Sequence, residues 1–210
     1  MRSGGISVFP FNNTVVLAEV SGQTLKDMME MAVMSWPAED GSFPHLSGIT
    51  FSVNTAIPSS VVVNELEEFV EISGEYRVYD IEVFDKETGK YEPLSLSKTY
   101  TLAASNYFLL EYGSGMTMLK NAKIIQNEGM LDVEALERYI VETLDGTVGE
   151  EYAEVKANIT FTDGVIEDST DNNNQENEEN NNQGENQTNT PQPKDTSHSG
   201  AEKVYRGCCG

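Results

Sequence analysis

The chain has 210 residues, with 35 acidic against 13 basic side chains, a formal charge of −22 and 38% hydrophobic residues. Binding of polymeric nucleic acid rests on Lys and Arg neutralising phosphates, so this excess of carboxylates excludes that partner class and leaves small-molecule ligands open. No apolar run approaches the ~20 residues of a membrane span, and the opening MRSGGISVF carries one arginine and no hydrophobic stretch, so neither a span nor a secretion leader is expected.

In chain order, residues 14–20 (TVVLAEV) are β-rich and predict a strand. SGQT then opens a helix in which Leu25, Met28, Met29, Ala32, Val33 and Trp36 repeat at helical spacing, an apolar face on which the methionines read as core filler. Pro37 ends that helix, since it donates no backbone hydrogen bond and disfavours an αR residue before it. GITFSVN predicts a strand. RVYDIEVF and the run after YEPL are joined through DKETGK, whose Gly89 and charged residues give hairpin chemistry. YTLAAS reads as a buried strand. Asp132 can cap a further helix that carries Val133, Leu136, Ile140 and Leu144 on one face, and KANITFTD closes the body as a last strand. Strands outnumber helices and are partly hairpin-joined, which predicts an α+β fold of mixed or antiparallel sheets covered by helices, over a doubly wound parallel sheet.

Residues 1–165 are the expected single domain. They hold 26 of the acids and 10 of the bases, a charge near −16 on their own. Residues 166–210 are rich in Asn, Gln and Glu with almost no apolar side chain, so they cannot bury enough surface to offset the entropy of ordering and predict a disordered, solvated stalk. Cys208 and Cys209 stand side by side in the closing VYRGCCG. Adjacent cysteines at such an end are poorly placed for a structural disulfide, and two thiols make no closed zinc site.

The stretch SNYFLLEYGSGM, residues 105–116, places Phe108 just before a loop with Gly113 and Gly115, directly after TYTLAA. Glycine admits φ > 0 and close backbone approach, so the stretch reads either as a stacking platform for a flat ligand such as a nucleobase, or as a core phenylalanine followed by an ordinary turn. Four segments decide more together than any one alone. FPFNNTVVLAEV, the helix after it, SGITFSV and NYFLLEYGSGM stand in the order of the LPFGNT-like motif, helix, SGI or SGL strand and NDFLAxGGDGY of the 5′-nucleotidase family, whose C-terminal domain residues 9–162 resemble.

That resemblance implies a domain that holds the nucleoside part of a nucleotide, while a separate N-terminal metallophosphatase domain carries a divalent metal pair and does the chemistry. By motif position Phe11 and Phe108 are the two rings that sandwich the base, Asn13 contacts its edge, and Gly113 and Ser114 line the same site. Ser114 stands where the family has an aspartate, and a hydroxyl is a weaker acceptor than a carboxylate. Glu111 and Tyr112 replace small residues and Met116 an aromatic one. MRSGGI resembles the family's NGGGIR segment with Arg2 and Ser7 at the polar positions, but a connecting strand and short helix are missing behind it. The resemblance also implies a bacterial protein, extracellular or cell-wall-associated, and the absent leader and metal domain imply a fragment.

Within the chain there is no nucleophile elbow, P-loop or Cys/His dyad, and the two histidines, His45 and His198, stand far apart. No metal or cofactor is therefore expected on this chain. Paired acids such as Glu67 and Glu68 read as solvated surface. Two functions follow: the nucleotide-recognition half of a 5′-nucleotidase-type phosphohydrolase, inactive alone, or a non-catalytic cell-surface spacer or interaction module with a degenerate pocket.

Overall fold

The computed structural model describes residues 9–41, 43–127, 129–154 and 158–163. The readings made for Arg2, Ser7, His198, Cys208, Cys209 and the stalk from residue 166 lie outside the described residues.

Strand β1 (Val15–Ser21) runs straight into helix α1 (Gly22–Ala32). β1 alternates buried and half-buried side chains, so Val16, Ala18 and Val20 point inward, as period-two patterning requires. Ser21 caps the helix by accepting the Thr24 N–H on its hydroxyl at 3.1 Å. Further strands are β2 (Ile49–Asn54), β3 (Val61–Val63), β4 (Phe69–Ile72), β5 (Val78–Asp85), β6 (Lys90–Pro93), β7 (Thr99–Ser105), β8 (Lys123–Gln126) and β9 (Ile159–Thr162). A short helix α2 (Asn106–Leu109) follows β7, and α3 (Asp132–Arg138) continues into a wider π turn, Tyr139–Thr143.

Among the described residues the strands form an antiparallel sheet β7-β1-β8, a mixed sheet β6-β5-β2-β9 in which only β2 and β9 run parallel, and the hairpin β3-β4. The α+β architecture with mixed and antiparallel sheets is the one expected. Helix α1 touches both β1 and β5. Leu25, Met28, Met29 and Met31 are all buried on it, together with Phe51 and Val53 of β2, Val78 and Ile81 of β5, and Leu109, Met116 and Leu119 beyond β7. A helix covered from several sides reads as apolar beyond a single stripe, which accounts for Met31 lying outside the predicted face.

One acid is drawn into this core. Glu30 of α1 is fully buried, and its Oε2 accepts the backbone N–H groups of Arg77 at 2.9 Å and Val78 at 3.0 Å. Arg77, also buried, donates from Nη1 to the Val33 carbonyl at 3.1 Å and from Nε to the Ile57 carbonyl at 2.6 Å. The pair joins the end of α1 to the start of β5.

Four expectations need correction. Trp36 is not on the helical face: α1 stops at Ala32, the Val33 carbonyl accepts both Arg77 Nη1 and, in a tighter three-residue turn, the Trp36 N–H at 3.2 Å, and the Trp36 ring stacks on Phe161 of β9 at 4.3 Å and 25°. YTLAAS is not a buried strand, because β7 lies at a sheet edge and only alternate residues turn inward. Asp132 is the first residue of α3 and not its cap; Glu134 reaches back to accept the Leu131 N–H at 3.1 Å. Nor is the hairpin partner of β5 the run after YEPL: β6 is Lys90–Pro93, KYEP itself, directly behind the turn.

The DKETGK hairpin forms between β5 and β6 with Asp85 opposite Lys90. Gly89 takes φ +69, and Asp85 Oδ1 accepts the N–H groups of Glu87 and Thr88.

Candidate functional site

One strand pairing brings the two motif segments to the same end of the fold. β1 and β7 run antiparallel with Val15 opposite Ser105, so the lead-in to β1 (residues 11–14) and the start of α2 (residues 105–108) emerge at the same end of the sheet. Asn106 ties the two together: its N–H donates to the Thr14 carbonyl at 2.9 Å, and its Oδ1 accepts the Thr14 N–H at 2.8 Å. That reciprocal pair closes a long stretch of chain and leaves neither backbone group of Thr14 unmatched at the strand end.

Phe11 is 81% exposed, the most exposed large hydrophobic side chain among the described residues. Phe108 is half-buried against the core beside the fully buried Leu109. Asn13 is half-buried and its carbonyl accepts the Asp132 N–H at 2.9 Å, so the same lead-in also anchors α3.

Behind α2 the chain makes a compact turn. Tyr112 (φ 54), Ser114 (φ 55) and Gly115 (φ +71) all take left-handed backbone conformations, and only the last is a glycine. The sequence left these glycines open to close approach of a ligand or to an ordinary turn; in the fold a Cβ at either position would meet protein atoms. A Cβ on Gly113 would overlap the ring of Tyr107, and one on Gly115 would overlap the Glu67 carbonyl of the β3–β4 turn. Thr117 Oγ1 donates to the Phe69 carbonyl at 2.6 Å, adding a second link from this region to β4. Glu111 Oε1 accepts Asn106 Nδ2 at 3.2 Å, and Lys120 Nζ lies 5.6 Å from the Tyr112 ring centre. Met116, where the family pattern has an aromatic residue, is buried.

Tyr107 is the residue the sequence reading missed. Its hydroxyl accepts the Ser114 N–H at 3.2 Å and its ring meets Phe108 edge-on at 5.4 Å. The turn of the β3–β4 hairpin was missed as well. Asn64 organises it, accepting the N–H groups of Leu66 and Glu68 on Oδ1 and donating to Glu68 Oε2 at 2.8 Å.

His45 is exposed, and Glu67 is exposed at φ 60. Among the described residues no group of three or more His, Cys, Asp or Glu side chains is gathered to hold a metal ion, so these residues do not fit a two-metal centre. No helix among the described residues is long and apolar enough to cross a membrane. Two surface concavities lie away from this end, one between β5, β6 and Tyr100 and one over β2, Asp80–Glu82 and Thr160.

The fold and this end of the sheet define a class: a small α+β domain that presents aromatic side chains beside a tightly folded turn, with no metal cluster among its described residues. The profile described as "5′-nucleotidase, C-terminal domain" matches residues 6–121, more than half of the chain, and the chain belongs to that family. It is 29% identical over 135 residues to a 5′-nucleotidase of Diplobatis ommata, covering 64% of this chain and 21% of that protein. Over 152 residues it is 27% identical to Protein UshA of Escherichia coli K12, covering 71% of this chain and 22% of the relative. The 5′-nucleotidase precursor of Thermus thermophilus superposes with a TM-score of 0.59 at 25% identity, over 77% of this chain and 27% of that one. The chain thus spans from about a fifth to just over a quarter of the length of these relatives.

Proposed function

We propose that this domain binds the nucleoside part of a nucleotide, with the base stacked between Phe11 and Phe108 and its edge or the ribose met by Asn13 and Ser114 beside Gly113. The observation that carries the reading is the β1–β7 register, which brings residues 11–14 and 105–108 to one end of the sheet and leaves Phe11 open to a partner. Stacking on an aromatic side chain contributes about 1–3 kcal/mol per base, and a local clamp needs no basic surface. In the whole protein a metallophosphatase domain with its divalent metal pair would hydrolyse the phosphate ester, so this chain alone is inactive. Residues 1–165 are the recognition domain and the polar tail a stalk, in keeping with a bacterial extracellular or cell-wall-associated setting.

Calorimetric titration with adenosine and AMP tests this. Saturable binding at micromolar to millimolar concentration, weakened about five- to 150-fold in Phe108→Ala, is the expected result; no heat from either ligand at millimolar concentration refutes it. Phosphate release from AMP with added divalent metal should remain at background. One observation favours the alternative, a non-catalytic surface module with a degenerate pocket: the open side of Gly113 is already filled by Tyr107. The same titration separates the two.

A further inference from the structure

Tyr107 is the second residue of α2, beside Phe108, and three contacts meet on it. Its hydroxyl accepts the main-chain N–H of Ser114 at 3.2 Å. Its ring fills the space that a Cβ on Gly113 would take. Its edge meets the Phe108 ring at 5.4 Å and 68°. The turn it touches is strained on local grounds: Ser114 sits at φ 55 and ψ 30, and Tyr112 at φ 54 and ψ 37, a left-handed conformation that costs a non-glycine residue roughly 1–2 kcal/mol. Two such residues around one glycine do not hold that shape by propensity, so surrounding contacts must hold it. The Glu67 carbonyl against Gly115 supplies one side. Tyr107 supplies the other, and it does so from a helix fixed to the sheet by the Thr14–Asn106 pair.

Resting on the nucleoside reading above, we infer that Tyr107 is a positioning residue: its hydroxyl and ring hold the Gly113–Ser114 turn and thereby place the Ser114 hydroxyl and set the tilt of Phe108. It touches no ligand in this role. Among the described residues, its hydrogen bond to a backbone N–H is the one that a hydroxyl deletion removes while the ring stays in place.

The test uses the full chain, with amide NMR at Ser114 and adenosine titration on wild type, Tyr107→Phe and Gly113→Ala. Tyr107→Phe keeps the ring and removes only the hydroxyl. It should shift the Ser114 amide resonance, speed its hydrogen exchange several-fold, and weaken adenosine binding by about three- to tenfold while the unfolding midpoint stays in place. Gly113→Ala leaves the hydroxyl present but drives the ring from its seat, and should give the same Ser114 signature. A Ser114 resonance and exchange rate unmoved in Tyr107→Phe overturns the inference. So does an adenosine affinity that falls in Phe108→Ala and not in Tyr107→Phe. If wild type binds no adenosine, the nucleoside reading fails by itself, and the Ser114 exchange rate still decides whether Tyr107 holds the turn.

Discussion

Removing the Glu30 carboxylate should damage this domain more than any other single loss of charge. Oε2 is the acceptor for two buried backbone donors, the N–H groups of Arg77 and Val78, while Oε1 is buried without a partner among the described residues. Glu30→Ala strands both donors. Each buried donor left unpaired costs ~1–3 kcal/mol, so the loss is ~2–6 kcal/mol, and the melting midpoint should fall by at least about 4 °C for a chain of this size. The carboxyl itself is held above its ordinary value of 4.5 by burial, against the opposing pull of the Val78 and Arg77 N–H groups and the charges of Arg77 and Lys26. A folded-state pKa above the unfolded one means that the native state binds the extra proton. That contribution to stability is fully present below the ordinary value of 4.5 and disappears as pH rises through the folded value. Urea unfolding across this range should therefore show wild type losing stability relative to Glu30→Gln as pH increases from 4.5. Glu30→Ala within about 1 kcal/mol of wild type, or a wild-type to Glu30→Gln difference that is flat or rises with pH, would refute the reasoning.

Two further outcomes follow from named contacts. Tyr76 is pushed up to about 12 by burial first and then by its hydrogen bond to Asp27, at 2.7 Å. Its ring resonances should titrate above those of an ordinary phenol at about 10, and earlier in Asp27→Asn; because the folded value is the raised one, wild type should lose stability relative to Tyr76→Phe between pH 10 and about 12, and a Tyr76 that titrates near 10 sinks the claim. Gly115→Ala combines a φ of +71 with a Cβ set against the Glu67 carbonyl, so urea unfolding should show a loss of at least ~1 kcal/mol; a variant as stable as wild type would mean that the turn is not held as described.

Elements with strong local periodicity were legible from the residues alone. β1, α1, β2, the β5–β6 hairpin and β9 each carry alternation, a helical face or turn chemistry within their own few residues. The β3–β4 hairpin was not, because VVVNELEEFVEI holds acids at its centre and its turn is organised by the Asn64 side chain, with Glu67 at φ 60 where no glycine marks it. β8 is four exposed residues whose assignment depends on pairing with β1. Glu30 reads as surface by residue type and becomes core only because two backbone donors, on Arg77 and Val78, await it. The order of motifs nominated the candidate site, and the β1–β7 register sets residues 11–14 and 105–108 at one end of the sheet. The part played by Tyr107 was hidden for a physical reason: left-handed backbone at Tyr112 and Ser114 is imposed by tertiary contact and leaves no trace in residue identity.

The two rings of the proposed clamp are not equivalent, and this gives the reading its sharpest consequence. Phe108 is packed in part against the core and stands next to the buried Leu109, so its position is set before any ligand arrives. Phe11 is 81% exposed on the lead-in to β1 and contributes little to the folded state. Phe11→Ala should therefore leave stability within ~0.5 kcal/mol of wild type, as surface substitutions do, whereas Phe108→Ala should lose ~1–3 kcal/mol, less than a fully buried ring. Both should weaken adenosine by the stacking contribution of one ring, ~1–3 kcal/mol, about five- to 150-fold. Paired unfolding and titration of the two variants separates binding from folding. An exposed ring that lowers stability as much as its partner when removed would show that Phe11 is part of the fold, and a Phe11→Ala that binds adenosine like wild type would leave Phe108 without a second face to the clamp.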